Sequence, residues 1–158
     1  MSPNKLARGG RNVLLVGAVA LAAAQLWRPV HANPRGNGEI VAPAKTSEIL
    51  RRACYDCHSN DTRWPWYASV APLSWLVQRD VDEGRRRLNF SSWQDYATDP
   101  ETAAHKLDEI AKTVAGGDMA PWHYRLLHPG ARLSDEDRAT LARWAAEEVR
   151  RSAATPTS

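Results

Sequence analysis

Phenylalanine is nearly missing from this chain: Phe90 is the single copy among 158 residues, against seven Trp. A core must then be built from Leu, Val, Ala and Trp. Sulfur is as scarce. There are two Cys, Cys54 and Cys57, and two Met, of which Met1 is the initiator, so Met119 is the one internal thioether. Acid is absent from residues 1–35, which carry Lys5, Arg8, Arg11, Arg28 and Arg35. Setting those five aside leaves 16 basic against 18 acidic residues over 36–158, a net charge of −2. The overall +3 therefore belongs to the N-terminus, and a basic nucleic-acid footprint on the remainder is not supported. The local cluster Arg85-Arg86-Arg87 falls near the end of an expected helix, where cations suit the negative pole; a partner-docking patch is the other reading. No alternating strand pattern, internal repeat or acid–base constellation is visible, which argues against a β domain, a repeat array and an independent hydrolase.

Long hydrophobic runs are also lacking, with one short exception. Residues 13–27, VLLVGAVALAAAQLW, are uncharged and follow Lys5, Arg8 and Arg11. Basic residues ahead of an apolar run make an export signal with its N-terminus held in the cytoplasm. No adjacent Arg pair precedes it, so the twin-Arg route is disfavoured. As a helix the run spans ~22 Å, short of a ~30 Å hydrocarbon core, which favours a removable signal with Ala32 near the cut. Trp27 and Arg28 form an interfacial anchor that favours retention. Either way the domain is exported. The division read from the sequence is 1–12 basic n-region, 13–28 signal anchor or signal peptide, 29–46 linker, 47–151 domain and 152–158 disordered tail.

Helical periodicity runs through the domain. A first helix is expected over about 47–57, capped by Thr46 or Ser47, with Ile49, Leu50, Ala53, Cys54 and Cys57 on one face. A second starts at Pro72 and turns Leu73, Leu76, Val77, Val81 and Leu88 inward. A third has Asp99 as cap, Pro100 next, a buried line of Ala103, Leu107, Ile110 and Val114, and a stop at Gly116-Gly117. A last helix opens at Ser134 with acids in its first turn and an inner face of Leu141, Ala142, Ala145 and Val149, with Trp144 beside it. Loops at 58–71 and 117–133 are long enough to suggest function. The expected fold is all-α.

Cys54-Tyr55-Asp56-Cys57-His58 matches C-x-x-C-H, the attachment signature of c-type haem. Thiols at i and i+3 share a helix face and can add to the two vinyl groups of a porphyrin, while the next residue, His58, reaches the iron. Three readings compete. Structural zinc would need a further ligand pair, for which His123 and His128 are an irregular candidate. A thioredoxin-like C-x-x-C needs a βαβ context that is not visible. A plain disulfide suits an exported protein but leaves His58 unexplained. For the sixth iron position a thioether is the usual partner of His in electron-transfer cytochromes. Met119 lies in GGDMAPW, between a helix stop and Pro121, where a gap-filling core Met is unusual. His128 and His123 are rival ligands, and an open iron is the remaining option. His105 shares a face with Glu101, Asp108 and Lys112 and reads as solvated.

RRACYDCHSNDTRWPWY, APLSWLVQRDVDEGRRRLNFSSW, GGDMAPWHY and LHPGARLSDEDR together resemble the haem-binding domain family of exported bacterial proteins, over about residues 25–150. The resemblance implies a small cytochrome-c-like helical domain with one covalent haem c, attached through Cys54 and Cys57 and ligated by His58. Met119 matches the family's Gly-Glu-Met-Pro block, with Asp118 in place of Glu and Ala120 in place of Pro. Gln25, Arg28-Pro29 and Asn33-Pro34 fit a family pattern beside the apolar segment, which favours an uncleaved anchor.

Arg63, Trp64, Trp66 and Tyr67 follow the motif and offer N–H and O–H donors on apolar bodies. They are read either as the haem wall, bonding a propionate, or as ordinary core aromatics. The expected function is electron transfer by a monomeric monohaem cytochrome, a carrier being favoured over an enzyme without the enzyme question being closed. It would be bound to the bacterial inner membrane through residues 13–28, face the periplasm and meet a redox partner protein; it would be soluble in the periplasm if the signal is cut. A haem-based sensor of gas or redox state and a peroxidase-like protein with an open iron are the alternatives, and a zinc module is the remote one.

Overall fold

The computed structural model describes residues 3–154, with side chains placed for residues 9–152. Among the described residues the chain is helical and has no strand; Gly38 and Ser92 form an isolated bridge. The helices are α1 (Pro3–Ala24), α2 (Ala44–Ala53), α3 (Tyr55–His58), α4 (Leu73–Arg87), α5 (Gln94–Ala97), α6 (Pro100–Gly116), α7 (Trp122–Leu127) and α8 (Asp135–Ala154), with 3-10 turns at Trp66–Ser69 and Pro129–Ala131. They fall into two compact units. The larger comprises residues 32–63 and those from 81 onward; the smaller comprises residues up to 31 and 64–80.

The larger unit is built on the pairing of α6 with α8. Asp99 caps α6 by accepting from the Glu101 and Thr102 amides, and Pro100 occupies the first turn, where its missing N–H has no intrahelical acceptor to serve. Gly117 ends the helix with φ 79°, a left-handed conformation that glycine adopts without a Cβ clash. Ser134 opens α8: its Oγ accepts from the Asp137 amide at 3.1 Å while its own amide donates to Asp137 Oδ2 at 2.9 Å. Ala103, Leu107, Ile110 and Val114 of α6 are buried as the periodicity predicts. From α8 the core takes Leu141, Ala145 and also Trp144, which lies inside rather than beside the inner face. Ile40, Ile49, Leu50, Tyr55 and the lone Phe90 join it. Tyr55 and Phe90 stack at 5.3 Å, so the one Phe sits at the centre of the aromatic packing.

The structure corrects several expectations. The first helix starts earlier, at Ala44 after Pro43, so Thr46 is a buried interior residue and not a cap. It also breaks at Cys54 (φ −124°, ψ −37°), so the stretch expected as one helix over 47–57 is two, with Cys54 at the joint. In the second helix Val81 is buried as expected, but Leu73 and Leu76 are 44% and 39% exposed, and Ser74 and Gly84 take the other buried positions. The stretch read as a linker, 29–46, is held to the larger unit from Gly38: Ile40 N–H donates to Phe90 O at 3.1 Å and Trp93 N–H donates to Gly38 O at 2.8 Å. Helix α8 continues to Ala154, into the expected tail, whose residues 155–158 lie outside the described residues. The apolar stretch after residue 12 is helical to Ala24 and its side chains are largely exposed, Val13 by 73% and Leu14 by 75%. Among the described residues no helix is long and apolar enough to cross a membrane, so a spanning anchor is not supported.

The smaller unit has its own side-chain locks. Gln25 forms a reciprocal pair with Ala71, donating from Nε2 to its carbonyl at 3.1 Å and accepting its amide at 3.0 Å. Arg28 donates to Ser69 O at 2.7 Å, and Trp75 Nε1–H to Trp27 O at 2.7 Å.

Gly84 of α4 fixes the approach to the cysteine turn. A Cβ there would stand 2.3 Å from the Cys57 carbonyl oxygen, a backbone atom that cannot swing aside. Gly84→Ala is therefore expected to lower stability by about 1–3 kcal/mol through overpacking, read from denaturant unfolding. A variant as stable as the parent would show that this contact gives way without cost.

Candidate haem site

Helix α3 is a single turn, and its position comes from tertiary bonds. Cys54 O accepts the His58 amide at 2.9 Å, while His58 O accepts the Phe90 amide at 2.7 Å. Ser59, fully buried, donates from Oγ to Tyr55 O at 2.8 Å. Arg85 donates to Ser59 O at 2.8 Å and to Thr62 Oγ1 at 2.9 Å. Arg85 thus pins the chain after the motif, a more specific role than balancing a helix pole.

The His58 imidazole is oriented by Leu88. Its Nδ1 lies 3.1 Å from the Leu88 carbonyl oxygen, which can only accept, so Nδ1 carries the proton. The lone pair is then on Nε2, the tautomer a metal ligand needs, and the Leu88 bond raises ligand basicity. Phe90 meets the ring edge-on at 6.4 Å. Burial holds the imidazole below its ordinary pKa, opposed by its backbone hydrogen bonds and assisted by the nearby Arg87 charge. His58 is thus neutral and ready to ligate. Burial likewise pushes the Cys54 thiol up to about 12, so it is protonated rather than a thiolate.

Cys54, His58 and Met119 line one half-open cavity of about 350 Å³. Its walls are apolar: Leu50, Leu88, Phe90, Ile110, Val114 and Leu141. Arg86, Arg87, Lys106 and Glu109 add charge to its lining. Arg86 and Arg87 both bind Glu83, at 2.8 and 2.6 Å, and Lys106 binds Glu109 at 3.1 Å. Cys57 is half-buried against Gly84, three residues on from Cys54. Neither cysteine is in a disulfide. Among the described residues no group of three or more His, Cys, Asp or Glu gathers as a metal site, so the zinc reading has no ligand set. Cys57 is not among the residues that line the cavity, so the structure brings Cys54, His58 and Met119 together there and leaves the second thiol one helical turn away. A neutral His, a thioether and a thiol on apolar walls with a cationic fringe are a donor set that fits a haem.

The other candidates lie elsewhere. His128 stacks on Tyr124 at 4.0 Å, with its Nδ1 3.1 Å from Tyr124 O, and does not line the cavity. His123 meets Trp122 edge-on. His105 is exposed, 3.7 Å from Glu109. Arg63 is paired with Asp56 at 2.9 Å. Trp64, Trp66 and Tyr67 belong to the smaller unit, whereas every residue lining the cavity belongs to the larger. Trp64 stacks on His31 at 4.3 Å, and Trp66 is 80% exposed with its edge toward Tyr67. Sequence reasoning missed Arg86, Arg87 and Lys106. The available signal was the position of Arg86 and Arg87 just before Leu88, though nothing local says that Leu88 orients His58.

A family described as "Haem-binding domain" matches residues 13–147. The chain belongs to that family. This haem-binding domain is also 24% identical over 126 residues to the cytochrome c peroxidase Ccp of Escherichia coli (strain K12). The alignment covers 75% of this chain and 27% of that protein, so the chain spans about a quarter of the length of the curated relative it matches. No solved structure matches it.

The buried imidazole sets a pH dependence in the haem-free protein. His58 has a lowered folded pKa, so between about 6.5 and that lower value the unfolded chain binds a proton that the folded chain does not. Stability from this group is therefore intact above about 6.5 and falls as pH drops below it. His58→Gln removes that component and is expected to flatten the fall in unfolding free energy between pH 7 and 5. Equal slopes in the two proteins would contradict the burial.

Proposed function

We propose that this haem-binding domain is a monohaem c-type electron carrier, with the cofactor attached covalently through Cys54 and Cys57 and His58 and Met119 as axial ligands. The observation that carries the reading is the presence of Cys54, His58 and Met119 on one apolar cavity. When bound, haem supplies one-electron redox chemistry at its iron. His58 offers Nε2 while Leu88 holds Nδ1–H. Met119 offers a soft sulfur, which favours the reduced metal and a raised potential. Leu50, Phe90, Ile110 and Leu141 give the site an apolar lining. Arg86, Arg87 and Lys106 are cations in the cavity lining that suit carboxylates on the cofactor's edge.

A second reading, a peroxidase-like protein with an accessible iron, is favoured by the name of the Escherichia coli relative. The thioether in the cavity favours the carrier, because a ligated sulfur blocks substrate. The proposed setting is the periplasmic face of the bacterial inner membrane, with a redox protein as partner. Retention of the N-terminal segment is supported by Gln25, Arg28 and His31, which bond residues 68–71 and would leave with a cut near Ala32.

The test is a denaturing mass measurement after export with haem-attachment machinery. One haem per chain is expected to survive denaturation, and Cys54→Ser combined with Cys57→Ser is expected to release it. A chain of unmodified mass, or one carrying zinc, would overturn the reading.

A further inference from the structure

We propose that Asp56 and Tyr124 are positioning residues that hold Met119 in place as the sixth ligand. This rests on the haem reading above. Asp56 stands between the two cysteines, and its side chain is only 13% exposed. Tyr124 O–H donates to Asp56 Oδ2 at 2.7 Å. The same carboxylate accepts from Arg63 Nε at 3.0 Å, from its Nη2 at 2.9 Å and from its amide at 3.1 Å. Arg63 therefore fixes the carboxylate against its own turn, and Tyr124 comes to a pre-set acceptor. The charge-assisted O–H bond is of the strong class.

Tyr124 lies five residues after Met119, on α7, which Pro121 opens. Helix α7 is six residues long and has no buried residue; Trp122, Leu126 and Leu127 are each more than 60% exposed. Hydrophobic burial thus does little to locate it, and side-chain ties must do so. The Asp56–Tyr124 bond connects the segment that carries Met119 to the segment that carries both cysteines and His58. The two axial ligands sit at opposite ends of one polar tether.

The test uses the full-length haem-loaded protein. Tyr124→Phe keeps the ring stacked over His128 and removes only the hydroxyl. It is expected to weaken the sulfur-to-iron absorption and to speed carbon monoxide capture by the ferrous protein about ten- to hundredfold, since a hydrogen bond to a charged group is lost. Haem content should be unchanged and the reduction potential should fall. Asp56→Asn should act in the same direction, and the double variant should go little further than either single one. Unchanged absorption, capture rate and potential in Tyr124→Phe would overturn the positioning role, even if its melting temperature dropped. If the parent protein captures carbon monoxide as fast as Met119→Ala, Met119 is not a ligand and the axial assignment itself fails.

Discussion

The arrangement depends on a single hydrogen bond, from His58 Nδ1–H to the Leu88 carbonyl. It selects the tautomer and orients the last residue of a one-turn helix with its Nε2 lone pair available to a metal. The bond is available only because the chain after α4 runs beside α3. Gly84 permits that approach, the Phe90 amide closes on His58 O, and Arg85 closes on Ser59 O. Four residues of one segment, 84 to 90, therefore brace the motif along its length. Phe90 also joins this brace to the core through its stack on Tyr55.

The second half of the site is held differently. Helices α6 and α8 supply Ile110, Val114 and Leu141 as a rigid apolar wall. Met119 leaves that wall two residues beyond the left-handed Gly117. Beyond it, α7 has little buried surface and depends on polar ties. Burial alone would raise the Asp56 pKa, but the bonds from Arg63 and then Tyr124 outweigh it and keep the carboxyl below its usual range. The site thus joins a braced histidine to a tethered thioether. In the proposed carrier, His58 would be the braced ligand and Met119 the one held by polar ties.

Much of this was legible in the sequence because its signals are local. Asp99-Pro100 and Gly117 mark the ends of α6 by capping and backbone chemistry, and Cys54-x-x-Cys57-His58 names its cofactor by spacing. Met119 was singled out by scarcity and by its irregular setting. The misreadings share a cause, which is long-range packing. The break at Cys54, the packed stretch after Gly38 and the division of Arg85, Arg86 and Arg87 between two tasks all depend on partners 26 or more residues away, or on tertiary contacts invisible to periodicity. Trp64 stacks on His31, a partner on the far side of the motif in sequence that periodicity does not reveal.

The central claim is that iron in this protein is held between an imidazole and a thioether. Iron-edge X-ray absorption on the protein purified with its haem measures this directly. The account predicts one sulfur in the first shell alongside nitrogen ligands, and loss of that sulfur in Met119→Ala. A first shell of nitrogen alone in the parent protein, or a spectrum unchanged by Met119→Ala, would contradict it.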